Sequence, residues 1–135
     1  MNIFFTGAIR GGRAQQPEYA AIVAILQRQG TVFSSHVSDD ELSLDGETHL
    51  SGSEILRREL NALTASDIAV AEVTTPSLGV GYLIKAATAQ GRKVIALYKG
   101  GSALQLSAII KGDPMVEVHT YETPEDLEKV LNLGK

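Results

Sequence analysis

The sequence predicts an α/β fold in which one five-stranded parallel sheet is covered by helices on both faces. Two observations lead to this class. Short apolar segments alternate with helix-forming segments five times along the 135 residues. The apolar segments are continuous rather than alternating, as in strands that are buried on both faces. The length fits one domain with its own core, so we expect a single domain over residues 1–135.

Local signals set the expected limits of each element. Pro17 suits a first helical turn, Ser51 and Glu54 have capping-box spacing, and Gly30 and Gly91 suit helix ends. Strands are predicted at residues 2–6, 31–34, 67–73, 93–98 and 115–119. Helices are predicted at residues 18–29, 51–66, 80–90, 103–111 and 123–133. Residues 36–50 are polar and acidic without a sustained period, which indicates a long surface loop.

The two glycine-rich segments favour one strand order. Residues 7–13 follow the first predicted strand, and residues 74–82 follow the third. Ligands of parallel sheets bind beyond the carboxyl ends of the strands, where the winding reverses. The two loops form one site if strands 1 and 3 are neighbours. That condition favours the order 2-1-3-4-5, a flavodoxin-like three-layer sandwich.

The loop after the third strand has the residues of an anion site. Pro76 and Ser77 end the strand, while Gly79 and Gly81 permit a close backbone approach or a positive φ angle before a helix-forming segment. A hydroxyl group and free N–H groups at a helix start bind anions. The same residues also fit an ordinary strand-to-helix turn, and this alternative stays open.

The first glycine-rich loop matches neither a dinucleotide fingerprint nor a Walker loop. Arg10 suits a bidentate phosphate contact or a solvated surface position equally well. His36, directly after the second strand, can donate to a ligand, although a plain loop histidine is the simpler interpretation.

Two carboxylates fall within apolar patterns. Glu59 lies on the apolar stripe of its helix, either at the rim of a pocket or at the edge of the stripe where it reaches water. The rim position would raise its pKa toward acid–base use. Glu72 lies in the third strand, where a structural hydrogen-bonding role is favoured over an electrostatic one.

Composition restricts the class of function. The chain is 44% hydrophobic and 21% charged, with a net charge of −4, which argues against a nucleic-acid polymer as partner. It has no cysteine, and its three histidines show no metal-ligand spacing. No apolar run is long enough to span a bilayer and no signal-peptide pattern begins the chain, so we expect a cytoplasmic protein.

Four segments together carry a family resemblance: residues 7–13 (GAIRGGR), 35–37 (SHV), 71–82 (AEVTTPSLGVGY) and 106–112 (LSAIIKG). On these motifs, which span nearly the whole chain, the sequence resembles the 2'-deoxynucleoside 5'-phosphate N-hydrolases, relatives of the nucleoside 2-deoxyribosyltransferases. The resemblance implies a flavodoxin-like homodimer that cleaves the bond between a base and deoxyribose 5'-phosphate. It implies no metal and no organic cofactor.

The resemblance also implies positions for the nucleotide. The first loop would wrap the ligand with Arg10 near the phosphate, while Ser77 and the N–H groups toward Gly79 would hold the phosphate. Ser107 would reach in from the other subunit. The implied substrate-binding residues are Gly7, Ala8, Ile9, Arg10, Gly11, Gly12, Arg13, His36, Ser77, Gly79, Gly81, Ser107 and Ala108.

The sequence departs from the family pattern at the catalytic positions. Leu83 stands where the family places the glutamate that attacks the anomeric carbon, and Phe4 stands where it places a tyrosine. Glu59 aligns with an aspartate, and Ala8 with a serine of the first loop. Loss of a glycosidic bond passes through an oxocarbenium-like state that a carboxylate stabilises or captures, and leucine does neither.

Three explanations of this departure are open. Glu59 supplies the only carboxylate and activates a water molecule, the protein binds nucleotides without turnover, or the sequence is an inactivated variant. A flavodoxin-like domain that binds flavin or a protein partner is disfavoured, because the chain lacks the aromatic residues that usually sandwich a flavin ring. The helix at 80–90 is apolar on more than one face, which favours either a partner subunit or deep burial within the domain.

Overall fold

The computed structural model describes residues 1–8, 16–33, 50–100 and 105–134. Strands and helices alternate along this part of the chain, as predicted. The strands are β1 (Asn2–Gly7), β2 (Thr31–Phe33), β3 (Ile68–Glu72), β4 (Val94–Lys99) and β5 (Val116–Tyr121). The helices are α1 (Gln16–Gln27), α2 (Gly52–Thr64), α3 (Leu78–Ala89), α4 (Ala108–Gly112) and α5 (Pro124–Val130).

The strands form one parallel sheet in the order β2-β1-β3-β4-β5, which confirms the predicted topology. The neighbouring strands β1 and β3 are in register from Ile3 opposite Ile68 to Gly7 opposite Glu72. Both strands therefore end at the same level of the sheet. The two segments that follow them begin side by side at the winding reversal, where parallel sheets bind ligands.

Two apolar clusters cover the sheet, one on each face. Helices α1 and α5 pack on one side against Phe5, Val70 and Leu97. On the other side α2 and α3, with part of α4, pack against Phe4 and Ala96. We call these sides the α1/α5 face and the α2/α3 face. Because side chains alternate along a strand, Glu72 points to the α1/α5 face with Val70.

Some predicted limits were wrong, and each has a local cause. Helix α3 begins at Leu78 rather than at residue 80, because Ser77 is its N-cap and the Ser77 hydroxyl oxygen accepts from the Val80 N–H at 3.2 Å. Helix α1 begins two residues early, at Gln16. Helix α4 begins at Ala108 and not at residue 103, since residues 105–107 are not helical.

The carboxyl-terminal limits also differ. β5 continues to Tyr121 because its pairing with β4 extends to Lys99. The predicted end of the last helix at residue 133 was wrong, and α5 ends at Val130. Beyond this helix the backbone is hydrogen-bonded to the Gln29 side chain, which donates to the Leu131 carbonyl and accepts from the Leu133 N–H. No helix among the described residues is long and apolar enough to cross a bilayer.

Candidate functional site

A pocket of about 740 Å³ opens at the carboxyl ends of β3 and β4, between the start of α3 and the segment that leads into α4. Volumes of this order are usual for sites that bind small molecules. Its lining consists of Val73, Thr74, Thr75, Pro76, Ser77, Leu78, Val80, Gly81, Ile84, Tyr98, Gln105, Leu106, Ser107 and Ile110. The pocket is therefore apolar with a few hydroxyl groups and the amino end of a helix.

Ser77 lies at the polar end of this pocket. It has an extended backbone, with φ −151° and ψ 123°, and its hydroxyl oxygen caps α3. The N–H groups of the first helical turn have no carbonyl partner within the helix, and the helix dipole adds positive potential there. A capping hydroxyl group keeps its own hydrogen for a ligand. This end of the pocket suits an anion.

Ser107 lines the same pocket. It is the N-cap residue of α4, but its side chain makes no capping hydrogen bond. Much of the remaining lining is apolar and includes Leu106, Ile110 and Tyr98. Within one chain Ser77 and Ser107 thus line the same pocket, whereas the family resemblance implies that Ser107 reaches the site of the other subunit. Ala108 follows as the first residue of α4.

Gly79 and Gly81 lie inside the first turns of α3, where the chain itself does not require glycine. Neither has a positive φ angle, a feature found among the described residues only at Gly91 and Gly100. A Cβ atom at Gly81 would meet no atom of the chain within 4 Å, and one at Gly79 would meet only the Ser77 hydroxyl oxygen at 3.8 Å. Glycine costs a helix roughly 1 kcal/mol relative to alanine. The open space is available to a molecule from outside the chain.

Gly7 and Ala8, predicted to bind the ligand, contact the aromatic ring and hydroxyl of Tyr19. A Cβ atom at Gly7 would lie 2.8 Å from the Tyr19 ring, so that position requires glycine for packing. Ala8 is fully buried, and its carbonyl accepts from the Tyr19 hydroxyl at 3.2 Å. The predicted positions Ile9, Arg10, Gly11, Gly12, Arg13 and His36 lie outside the described residues.

The three positions that the family resemblance matches to catalytic residues lie on the α2/α3 face but do not line the pocket. Phe4 is buried and Leu83 half-buried in the same apolar cluster. Glu59 is 7% exposed on α2, and its Oε1 atom lies 3.1 Å from Nη2 of Arg58. Ile84, the residue after Leu83, does line the pocket. The Glu59 carboxylate is thus buried beside Arg58, and it lies neither in the lining of the pocket nor at an exposed edge of its helix, the two positions that the sequence left open.

A buried polar network lies at the same edge of the sheet on the α1/α5 face. Glu72 is fully buried, and burial raises its pKa above the ordinary value of 4.5 although three hydrogen bonds oppose the shift. The donors are the N–H and hydroxyl groups of Thr74 and the hydroxyl group of Tyr121. The predicted hydrogen-bonding role of Glu72 is confirmed. Sequence reasoning missed Tyr121 because it lies on β5, far along the chain from Glu72, and it missed Thr74 although this residue is only two positions from Glu72.

An ion pair extends this network toward α1. The Lys99 ammonium group lies 2.6 Å from Oε1 of Glu18, and the Lys99 N–H donates to the Thr74 hydroxyl oxygen at 2.8 Å. In the part of the chain that the structure describes, no group of three or more His, Asp or Glu residues is placed to hold a metal ion.

Comparison with known proteins agrees with this architecture. The sequence model described as nucleoside 2-deoxyribosyltransferase matches residues 3–133. A 5-hydroxymethyl-dUMP N-hydrolase of Danio rerio is 43% identical over 97% of this chain and 93% of its own length. A protein of Syntrophotalea carbinolica, provisionally named 2'-deoxynucleoside 5'-phosphate N-hydrolase 1, is 38% identical over 97% of this chain and 92% of its own.

A solved structure shares the fold. The CMP N-glycosidase of Clostridium botulinum superposes with a TM-score of 0.66, covering 98% of this chain and 99% of that chain. The two sequences are only 19% identical, so this likeness concerns the arrangement of strands and helices.

Proposed function

Since the chain belongs to the nucleoside 2-deoxyribosyltransferase family, we propose that it binds a nucleoside 5'-monophosphate and hydrolyses its N-glycosidic bond. The products are a free base and (deoxy)ribose 5-phosphate. The observation that carries this proposal is a pocket of suitable size at which Ser77 and the start of α3 lie. The names of the relatives in Danio rerio and Syntrophotalea carbinolica support the class of substrate.

The polar end of the pocket fits a phosphate group. Backbone N–H groups at a helix start and hydroxyl donors bind phosphate without an excess of net positive charge. This explains how a chain with a net charge of −4 can hold an anion. The open space at Gly79 and Gly81 allows phosphate oxygens to approach the backbone closely. Arg10, on the segment that follows β1, completes the phosphate contacts in this proposal.

Glu59 is the proposed source of the catalytic carboxylate. In the hydrolysis, the bond between C1' and the base nitrogen breaks, and the base leaves with the bonding electrons. A water oxygen bonds to C1', Glu59 accepts the proton that this water loses, and this proton then passes to the departing base nitrogen, so that Glu59 is again a carboxylate. The direct attack needs no covalent sugar intermediate, which is consistent with leucine at position 83. Glu59 is buried on α2, which packs on the same face of the sheet as the pocket, and its carboxylate pairs with Arg58.

Nucleotide binding without turnover is the second candidate function. It is favoured by the apolar side chains of Phe4 and Leu83, which share one cluster on the face that also carries Glu59. If this candidate is correct, the protein binds nucleoside monophosphates and releases no base.

Base release separates the two candidates. Purified protein is incubated with a deoxynucleoside 5'-monophosphate, and free base is measured by chromatography. Hydrolysis by Glu59 predicts that Glu59→Gln lowers the rate by roughly 10²-fold or more, the usual effect of a general base. Glu125→Gln, which changes an exposed carboxylate on α5, is the matched control and leaves the rate unchanged. Equal rates for wild type and Glu59→Gln would contradict the role of Glu59.

Leu83→Glu adds a carboxylate, whereas Glu59→Gln removes one. If position 83 faces the anomeric carbon, a carboxylate restored there raises the rate of base release by roughly 10-fold or more, while Leu83→Gln does not. No gain from Leu83→Glu in a protein that still binds nucleotide would contradict the alignment of this position with the family glutamate.

We further propose a homodimer in which Ser107 of each subunit reaches the neighbouring site, as the family resemblance implies. Apolar side chains flank the pocket: Leu78 is 96% exposed, Ile109 84% and Tyr82 59%. Leu78, which lines the pocket, and Tyr82 lie one turn apart on α3, and both side chains are exposed. A second copy that covers this surface would bury these side chains and bring its own α4 close to the site.

Mixed dimers test the proposed exchange of Ser107. Ser77→Ala and Ser107→Ala proteins, each with weakened affinity, are combined and allowed to exchange subunits. If Ser107 acts on the neighbouring site, each mixed dimer contains one intact site, so about one quarter of all sites regain wild-type affinity after random exchange. If Ser107 acts within its own chain, every site lacks one serine and none recovers.

A further inference from the structure

We propose that Glu72 and Tyr121 are positioning residues that hold the loop between β3 and α3, so that Ser77 and the first N–H groups of α3 face the pocket. This inference rests on the proposed nucleotide site and assigns a role to two residues that cannot touch the ligand themselves. Both side chains are buried at the α1/α5 face, whereas the pocket lies on the α2/α3 face.

Glu72 holds the beginning of the loop through both of its oxygen atoms. Oε1 accepts from the Thr74 N–H at 2.7 Å, and Oε2 accepts from the Thr74 hydroxyl at 2.9 Å. The Tyr121 hydroxyl, at the end of β5, also donates to Oε2. One carboxylate therefore fixes the backbone and the side chain of Thr74 at the point where the chain leaves β3.

Thr74 is held from a third direction by β4. Its hydroxyl oxygen accepts from the Lys99 N–H at 2.8 Å, while the preceding Val73 N–H donates to the Leu97 carbonyl at 2.8 Å. Only Thr75 and Pro76 separate this anchor from Ser77, and the proline ring fixes its own φ angle. Few backbone torsions remain by which Ser77 can move relative to the sheet.

The surroundings of Glu72 argue against a role in stability alone. Its neighbours on the same face of the sheet, Val70 and Leu97, are fully buried and apolar. An apolar side chain in such a place is often at least as stabilising as a buried carboxylate with its partners. Unlike an apolar side chain, the carboxylate fixes the orientation of Thr74, because it accepts hydrogen bonds from both Thr74 groups and from Tyr121 at once.

Thr74 is the link between the two faces. It is the partner of Glu72 in the buried network and also one of the residues that line the pocket. A shift of Thr74 therefore displaces the backbone that leads to Ser77, at the phosphate end of the pocket. Ser77 and the start of α3 are proposed to contact the phosphate only. We therefore expect their displacement to weaken binding of the monophosphate and to change the affinity for the nucleoside little.

The test compares Tyr121→Phe and Glu72→Gln with wild type. Tyr121→Phe removes one donor and keeps the ring, and the amide of Glu72→Gln can still accept from the Thr74 N–H. The matched control is Ser66→Ala, which removes a hydroxyl that donates to the Ala62 carbonyl at the opposite end of β3. Affinities for a deoxynucleoside 5'-monophosphate and its nucleoside are measured by calorimetry, and exchange of the Thr74 and Val80 amide hydrogens by NMR.

We expect Tyr121→Phe to weaken the monophosphate affinity by roughly threefold to tenfold, the effect of one buried hydrogen bond, and Glu72→Gln to weaken it at least as much, because its amide nitrogen cannot accept from the Thr74 and Tyr121 hydroxyl groups. The nucleoside affinity stays unchanged, and the Thr74 and Val80 amides exchange faster. Ser66→Ala leaves both affinities and these amides as in wild type. A merely structural role would not change the ratio of the two affinities.

Unchanged affinity ratios and unchanged exchange at Thr74 and Val80 in both variants would overturn the inference. If wild-type protein binds neither ligand, the proposed nucleotide site fails separately. Amide exchange then still decides whether Glu72 and Tyr121 hold the loop: faster exchange in Tyr121→Phe supports the anchor, and unchanged exchange overturns it.

Discussion

At the scale of single residues, Gly81 shows most clearly that this site is shaped for something outside the chain. Alanine would fit there without a clash and would favour the helix. We therefore predict that Gly81→Ala raises the free energy of unfolding by roughly 0.5–1 kcal/mol and weakens nucleotide binding. Urea unfolding and calorimetric titration of the same protein measure the two effects.

Gly52→Ala is the control for this pair of effects. Gly52 is the first residue of α2, a Cβ atom there also meets nothing within 4 Å, and it does not line the pocket. We expect it to leave nucleotide affinity unchanged. If Gly81→Ala binds nucleotide as tightly as wild type, the space beside Gly81 is not used by the ligand.

The ionisation of Glu72 gives a second prediction for a single residue. Burial raises its pKa above 4.5, so within the interval between 4.5 and the raised value the folded protein binds more protons than the unfolded chain. The contribution of Glu72 to the free energy of unfolding therefore falls as pH rises through this interval. Tyr121 and Thr74 donate to the carboxylate, and Glu18, which pairs with Lys99, adds a like charge.

Urea unfolding of wild type and Glu72→Gln from about pH 4 to about pH 8 checks this sign. The stability of wild type relative to the variant should decrease as pH rises. A relative stability that is constant, or that increases with pH, would show that the pKa of Glu72 is not raised.

At the scale of elements, the N-cap of α3 contributes both to the stability of the fold and to the proposed binding of phosphate. Ser77 caps α3 and Ser51 caps α2, each by accepting an N–H hydrogen bond of 3.2 Å. We predict that Ser77→Ala and Ser51→Ala each lower the free energy of unfolding by about 1 kcal/mol. Only Ser77→Ala should also weaken the binding of a nucleoside monophosphate, as measured by calorimetry.

Equal binding by the two cap variants would mean that the Ser77 hydroxyl serves the helix alone. Ser51 is suited to the comparison because it occupies the same kind of position but has its own partner, Glu54, in a complete capping box. The two variants therefore lose a similar local interaction in different parts of the molecule.

The start of α3 also shows where prediction from sequence ends. The sequence indicated a strand, a Pro-Ser turn and a helix, and it identified Ser77 and the two glycines. It placed Gly79 before the helix, because glycine has low helix propensity and Val80 is the first good core residue. The structure continues the helix back to Leu78, since a serine cap satisfies the first turn whatever side chains that turn contains.

At the scale of the whole molecule, the order of the strands was predictable and the buried network was not. Two glycine-rich loops after strands 1 and 3 favoured the order 2-1-3-4-5, and the pairing of Gly7 with Glu72 confirms that these strands are neighbours. The contact of Tyr121 with Glu72 joins residues 49 positions apart. Such a pair has no local pattern, because it depends on the side-by-side packing of β3, β4 and β5.

The end of the last helix was likewise not predictable from local sequence. The last helix stops at Val130 because Gln29, about a hundred residues earlier, binds the backbone at Leu131 and Leu133. Helix propensity and periodicity are local quantities, whereas this stop is a tertiary contact. The pocket itself is a whole-molecule feature, since it needs both the β3–α3 loop and the segment before α4.

The central claim is that the start of α3 and Ser107 hold the phosphate of a nucleoside 5'-monophosphate. Amide chemical-shift mapping by NMR, with a deoxynucleoside 5'-monophosphate added to the isotope-labelled protein, tests it most directly. The account predicts that the largest shifts fall on residues 77–81 and on Ser107, and that the corresponding nucleoside shifts these amides much less. Shifts confined to other surfaces, or none at about millimolar ligand, would contradict it.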